Sequence, residues 1–289
     1  MSTMRHPEWI KVPLTGTHET RKLLRSFGLS TVCEEARCPN QGACFSNNTA
    51  TFMILGDKCT RNCSFCAVDS DIPGPPDPDE PYRVAKASVK LGLAFVVITS
   101  VTRDDLKDGG AGHFTDTIKA IRKLKKNIKT EVLTPDFKGN YQALKSLLEA
   151  GPDVFNHNIE TVPRLYDTVR PQADYLLSIN ILKRAKQMFP HIMTKSGMMV
   201  GLGETYREIL EVMQDLKRAG CDYLTIGQYL QPRRNNIPVA EYIRPEVFEQ
   251  YKQEALDMGF RAVASSPLTR SSLNAGALFE GASAESAFI

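Results

Sequence analysis

Six of the seven cysteines fall in two tight triplets, Cys33-x4-Cys38-x5-Cys44 and Cys59-x3-Cys63-x2-Cys66, packed into fewer than forty residues. Clustered thiolates are metal ligands, and an iron-sulfur cube normally takes four. Each triplet supplies three, so one corner of each cluster falls to something other than cysteine. An open iron can hold a substrate or cofactor, which points beyond electron storage to chemistry at the metal. The second triplet is the sharper signal. Cys59-Thr-Arg-Asn-Cys63-Ser-Phe-Cys66 lets one short loop wrap three corners of a cube, and Phe65 can offer an aromatic face beside the last ligand.

Two plainer readings compete. Structural zinc sites usually combine C-x2-C pairs into complete sets of four, which two unpaired triplets fit poorly. A disulfide framework suits short secreted chains. This chain has 289 residues and 42% apolar composition, enough to bury a core without staples, and no secretory signal is read in it. Cys221, alone before an apolar run, reads as a small core residue.

The second triplet resembles that of the radical S-adenosylmethionine superfamily. The first, Cys33-Glu-Glu-Ala-Arg-Cys38-Pro-Asn-Gln-Gly-Ala-Cys44, resembles the lipoyl synthase family within it. Four further segments carry the same resemblance along the chain: Arg103 to His113, Phe155 to Tyr166, Lys195 to Glu204 and Thr225 to Pro232. The resemblance implies two [4Fe-4S] clusters and S-adenosyl-L-methionine, whose methionine amino and carboxylate groups bind the fourth iron of the Cys59, Cys63 and Cys66 cluster. Reductive cleavage would give a 5'-deoxyadenosyl radical able to take hydrogen from an unactivated carbon. The second cluster would be the sulfur donor, its fourth ligand a serine near the carboxyl terminus in a segment reading Arg-Ser-Ser-Tyr. Here the segment is Arg270-Ser271-Ser272-Leu273, with leucine in the tyrosine's place. The ligand role carries to Ser272, with Ser271 as the close alternative. A serine alkoxide is a harder and more labile ligand for iron than a thiolate, which suits a cluster that is consumed. Apart from the resemblance, the serine pair reads as a turn or helix cap.

Further side chains have both a binding and a structural reading. Asn158 and Glu160 could accept hydrogen bonds from a ribose or the methionine amino group, or cap a helix. Arg170 could pair with the cofactor carboxylate in a two-pronged contact, or lie in solvent. Gly201 and Gly203 allow a turn or a close ligand approach. His113 and His157 read as polar packing residues.

These residues need a frame to bring them together. Branched apolar runs occur at Thr51 to Leu55, Ala94 to Thr99, Thr130 to Leu133, Val154 to Asn158, Thr194 to Val200 and Tyr223 to Ile226. A further strand is available at Phe260 to Ala264. Amphipathic stretches lie between them at Thr115 to Lys125, Tyr141 to Ala150, Ser178 to Met188 and Thr205 to Ala219. Alternation of this kind gives a parallel sheet with right-handed crossovers. Six units are short of a closed eight, so the expected fold is α/β, a partial (β/α)6 TIM-like barrel with amino- and carboxyl-terminal extensions. The expected organisation is one domain: 1–50 an extension with the first triplet, 51–264 the barrel, and 265–289 a segment with the serines. The proline-rich run Ile72 to Pro81 reads as a rigid loop before a helix, and residues beyond about Gly276 as a loosely ordered tail. Sites in such sheets form at the carboxyl ends of the strands.

A net charge of +3 argues for neither nucleic acid nor a membrane surface, and no apolar stretch is long enough to span a bilayer. The amino terminus does not read as an arginine-rich transit segment, and reduced clustered thiols favour the cytoplasm. The resemblance implies insertion of sulfur at C6 and C8 of an octanoyl-lysine on a lipoyl-carrier protein, either a glycine-cleavage H protein or a 2-oxo-acid dehydrogenase lipoyl domain. It also implies two cofactor molecules cleaved per product, an electron donor such as ferredoxin or flavodoxin, and an iron-sulfur cluster carrier. Two rivals stand beside it. A biotin-synthase-like enzyme explains the second triplet but not the position of the first. A two-cluster electron carrier explains the cysteines but not a barrel of this size.

Overall fold

The computed structural model describes residues 6–11 and 18–281. The first five residues, part of the segment read for a targeting signal, and residues 282–289 lie outside the described residues. The amino-terminal extension consists of α1 (His18–Ser26), the two-residue strand β1 (Ser30–Thr31), α2 (Val32–Glu35) and α3 (Gln41–Ser46). The barrel begins with β2 (Thr51–Ile54), followed by a short outlying pair, β3 (Lys58–Cys59) and β4 (Asp69–Ser70). The alternating units continue as α4 (Glu80–Lys90), β5 (Phe95–Ser100), α5 (Ala111–Leu124), β6 (Lys129–Leu133) and α6 (Tyr141–Glu149). Next come β7 (Val154–Asn156), α7 (Tyr166–Val169), α8 (Tyr175–Met188), β8 (Met193–Val200), α9 (Tyr206–Arg218) and β9 (Tyr223–Gln228). The chain closes with α10 (Pro245–Asp257), β10 (Ala262–Ser266) and α11 (Ala275–Phe279).

The main sheet runs β1-β2-β5-β6-β7-β8-β9-β10, parallel from β2 onward, with β1 antiparallel on the edge of β2. The six expected strands are present, and the further one at Ala262–Ser266 brings the parallel set to seven, one short of a closed eight. Local chemistry sets the helix starts. Asn140 accepts from Ala143 N at the head of α6, Asp174 accepts from Leu177 N at α8, and Thr205 with Glu208 forms a capping box at α9. The proline-rich loop leads directly into α4, with Pro81 in its first turn, where the missing N–H costs nothing.

The barrel interior is layered. At its amino end Val154, Tyr223, Ala264 and Leu278 form an apolar plug, and the Phe279 ring lies 5.6 Å from that of Phe95. This corrects the first part of the expected tail: just beyond Gly276 the chain completes α11 and packs into the base of the barrel, while the rest of that stretch, 282–289, lies outside the described residues. Above the plug the strands turn polar, with Glu131, Asn156 and Lys195 all buried. The next interior level holds Gly197 and Thr225, paired across β8 and β9, where Ser271 Oγ lies 3.4 Å from Thr225 Oγ1. The segment after β10 therefore descends into the barrel instead of lying on its surface.

Candidate functional site

The second triplet starts where β3 ends, and its loop is fastened on every side. Asn62 N donates to Gln172 Oε1 at 2.6 Å, Ser64 N to the Val169 carbonyl at 3.0 Å, and Asn236 Nδ2 to the Ser64 and Cys66 carbonyls at 3.0 and 2.8 Å. Arg61, inside the triplet, is buried and double-forked. It reaches both Asp104 oxygens at 2.7 and 3.0 Å and both Asp136 oxygens at 2.7 Å, tying the loop to the ends of β5 and β6. Burial alone would raise the Asp136 pKa, but Arg61 outweighs it and holds the carboxyl at about 2. Backbone N–H groups already point at sulfur: Arg61 N and Thr102 N at Cys59, and Val68 N at Cys66, from 3.3 to 3.4 Å. Burial pushes Cys66 up to about 12 and raises Cys63, with Arg170 opposing the shift at Cys63.

Around Cys63 stand the residues expected to hold the cofactor. Arg170 and Glu160 are both close enough to act on its charge. Glu160 adopts a left-handed backbone (φ 64°), uncommon for this residue type. Two ladder bonds keep it so, Glu160 N to the Gly197 carbonyl at 3.0 Å and Met199 N to the Glu160 carbonyl at 2.8 Å. Asn158 Nδ2 donates to Glu160 Oε1 at 3.0 Å. Burial raises the Glu160 pKa against the pull of Arg170. Arg170 Nη1 donates to the Asn158 and Ile159 carbonyls and to Tyr166 Oη, while its Nε is buried without a partner. His157 Nδ1 lies 2.9 Å from the Thr134 carbonyl and so carries the hydrogen, leaving Nε2 as a buried acceptor with no partner. Burial, then Arg170, lowers this imidazole to about 4. A leftover donor and a leftover acceptor beside three thiols fit a polar cofactor. Phe65 packs with Leu202 and Tyr229 in a small apolar group on the same face.

The first triplet is delivered by the extension. Cys33 sits on α2 directly after β1, Cys44 on α3, and Cys38 on the turn between, where Cys38 N donates to the Cys33 carbonyl at 3.1 Å. Asn40 Nδ2 donates to the Leu268 carbonyl at 2.7 Å, fastening this loop to the segment after β10. Beside the start of β2 lies a small cavity lined by Cys33, Cys38, Cys44, Arg270 and Ser272. Ser271 turns away from it and donates through Oγ to Asn158 Oδ1 at 2.8 Å. Of the two serines, Ser272 faces the three thiols and Ser271 does not. Three thiols and one hydroxyl fit a cube, whereas no group of three His, Cys, Asp or Glu among the described residues closes on a single metal ion. Burial pushes Cys33 up to about 12 and Cys44 to about 11, and raises Cys38 against the charge of Arg270.

Arg270 escaped the sequence reading. It lines the first cavity, and its charge acts on both Cys38 and Glu160, so it stands between the two triplets. Its place beside the serine pair was the available signal. Arg61 was missed likewise, although an arginine between metal-binding cysteines could have been asked for its counter-ions. Gly201 is needed for protein packing, since a Cβ there would overlap Gln228 Nε2 and the Glu241 carbonyl. Gly203 turns with φ 105° beside the Glu204 carboxylate, which accepts from Leu202 N at 2.9 Å. His113 is a packing residue as expected: its Nε2 lies 2.7 Å from Glu80 Oε2, which also accepts from Leu55 N at 2.8 Å.

Comparison with known proteins bears on this arrangement. Residues 53–216 match the sequence profile of the radical SAM superfamily. Lipoyl synthase of Alkaliphilus metalliredigens (strain QYMF) is 54% identical over 283 residues, covering 97% of this chain and 98% of that protein. Lipoyl synthase of Caldicellulosiruptor saccharolyticus is 52% identical over 275 residues, covering 94% and 96%. Two solved structures share the fold. Methylornithine synthase (PylB) has a TM-score of 0.57 at 16% identity, over 87% of this chain and 75% of that chain. HydG, a maturase of the [FeFe]-hydrogenase, has 0.58 at 15%, over 73% and 50%. Identity above one half along nearly the whole length reaches through the extension and the serine segment as well as the barrel, and by it this chain belongs to the lipoyl synthase family of the radical SAM superfamily.

Proposed function

We propose that this protein inserts two sulfur atoms, at C6 and C8, into an octanoyl group amide-linked to a lysine of a lipoyl-carrier protein. The observation that carries the reading is the pairing of two three-thiol sites on one barrel, one with unpartnered polar atoms beside it and the other with a serine hydroxyl in its wall. The cofactors are two [4Fe-4S] clusters and S-adenosyl-L-methionine. When bound, they supply the electron that cleaves the cofactor's sulfonium and the sulfur that enters the product.

The chain's own groups divide the remaining work. Cys59, Cys63 and Cys66 hold the cluster that meets the cofactor, leaving one iron open. Arg170 and His157 offer it a donor and an acceptor, Asn158 and Glu160 offer acceptors to its ribose or amino group, and Phe65 gives an apolar face. Cys33, Cys38, Cys44 and Ser272 hold the sulfur-donating cluster. Arg270 neutralises charge between the two sites, where net negative charge on clusters and thiolates would otherwise repel. The chain works as one domain, 1–289, with the extension and carboxyl-terminal segment completing the barrel.

The carrier is a glycine-cleavage H protein or a lipoyl domain of a 2-oxo-acid dehydrogenase, the electron donor a ferredoxin or flavodoxin, and an iron-sulfur carrier rebuilds the donor cluster. No helix among the described residues is long and apolar enough to cross a membrane, and the reduced thiols suit the cytoplasm. The test is anaerobic incubation of the reconstituted protein with reductant, S-adenosylmethionine and an octanoylated carrier peptide, followed by mass spectrometry. A peptide gaining two sulfur atoms is expected. Formation of 5'-deoxyadenosine with no sulfur in the peptide would sink the assignment.

A further inference from the structure

We propose that Lys195 and Glu131 are positioning residues for Ser272, a role that rests on Ser272 being the fourth ligand of the first-triplet cluster. Both side chains are 1% exposed. Two charges in the middle of a barrel are costly to desolvate, and apolar residues of the same volume commonly serve a core as well. This pair holds more than itself. Lys195 Nζ donates to the two Glu131 oxygens at 3.0 Å each and to the Ser271 carbonyl at 2.6 Å. That occupies all three ammonium hydrogens. Glu131 Oε1 also accepts from Asn156 Nδ2 at 2.8 Å, so the carboxylate is fixed from β7 as the lysine is from β8.

The group being held matters. The Ser271 carbonyl belongs to the peptide unit that joins Ser271 to Ser272. That unit is planar, so holding its oxygen restricts where the Ser272 Cα can lie. The Ser271 side chain pins the same unit from its other end by donating to Asn158 Oδ1 at 2.8 Å. Gly197 makes room for it, since a Cβ there would overlap Ser271 Oγ and Thr225 Oγ1. A short segment with no regular structure is thereby seated on the barrel floor, and Ser272 is left facing Cys33, Cys38 and Cys44. Lys195 touches no proposed iron ligand, so it acts only through where it puts Ser272.

The test reads iron loss, not turnover. Lys195→Met is combined with Glu131→Gln, because removing one charge alone strands the other in the core. Full-length protein reconstituted with both clusters is given a chelator, and iron release is followed by absorbance. The paired variant is expected to lose the first-triplet iron about tenfold faster than the unaltered protein, the scale of losing one charge-assisted hydrogen bond. Far-UV circular dichroism and 5'-deoxyadenosine formation should stay unchanged. Ser272→Ala should also release iron faster, and adding the paired substitutions to it should change nothing more, since they act through the same residue. An additive acceleration would mean that the pair is a general core feature and overturn the proposal. A wild-type release rate in the paired variant, with fast release in Ser272→Ala, would overturn it and leave the ligand intact. A wild-type rate in Ser272→Ala would remove the ligand itself. If the paired variant fails to fold, Lys195→Arg keeps the ion pair but redirects the donors. Faster release is then expected, and an unchanged rate counts against the role.

Discussion

Burial pushes the Cys33 and Cys66 thiols up to about 12 and Cys44 to about 11, from an ordinary value of 9.0. These residues are therefore protonated at neutral pH, and under the proposed function they would give up protons on binding iron. The same shift has a consequence for the protein without iron. As pH rises from about 9 toward 12, the unfolded chain loses these protons while the folded chain keeps them, so folding stability falls across that window. The thermal midpoint of cluster-free protein should drop between about pH 8 and about pH 10, and drop less in Cys33→Ala, as scanning calorimetry would register. A second residue-scale prediction separates the sites. Cys63→Ala should abolish 5'-deoxyadenosine formation, whereas Cys38→Ala should keep it and lose sulfur insertion, both measurable by chromatography of one reaction. At this scale the cysteines were legible because covalent spacing alone confines three thiols to one loop. The choice between Ser271 and Ser272 was not, because neighbouring side chains differ only in direction. That direction comes from Asn158, 113 residues away.

The elements were legible where periodicity is strong. All six expected strands formed, and α6, α8 and α9 start just after a capping side chain, whereas α5 begins at Ala111 after Gly110, four residues before its expected start. Helix α11 was missed because Ala275–Phe279 is too short to show a period and itself contains Gly276; its order comes from packing on Phe95. Arg61 gives a prediction about elements, since its guanidinium ties the second-triplet loop to carboxylates at the ends of both β5 and β6. Its guanidinium and the Asp136 carboxylate are 5% and 1% exposed. Arg61→Met should therefore cost about 3–5 kcal/mol by leaving Asp136 unpaired, a loss that urea denaturation would measure. Gly197→Ala tests the seat of the serine segment: the new methyl displaces Ser271, so sulfur insertion should fall sharply while the helical circular dichroism signal holds.

At the scale of the whole molecule, the segments before and after the barrel both help to complete it. The extension contributes β1 at one edge of the sheet, and the last described residues fill its base, with Leu278 only 3% exposed. Leu278→Ala should cost about 2–5 kcal/mol through the cavity it leaves, visible as a lower denaturation midpoint. Much of the site could not be read at this scale, because Lys195, Glu131 and Arg270 acquire meaning only through contacts between strands far apart in sequence. Lys195 meets Glu131 across 64 residues and the Ser271 carbonyl across 76.

The descent of the serine segment into the barrel also fixes an order of events during biosynthesis. A ribosome releases Cys33, Cys38 and Cys44 long before it reaches Ser272, an interval on the order of ten seconds or more at ordinary elongation rates. Throughout that time the nascent chain displays thiols that have neither the Ser272 wall of their cavity nor the Leu268 carbonyl that anchors Asn40. The second triplet needs less of the chain: Arg170 comes at mid-sequence, and Asn236 follows before the serine segment. The first-triplet site thus waits for the serine segment, whereas the second can be framed as soon as Asn236 has been made.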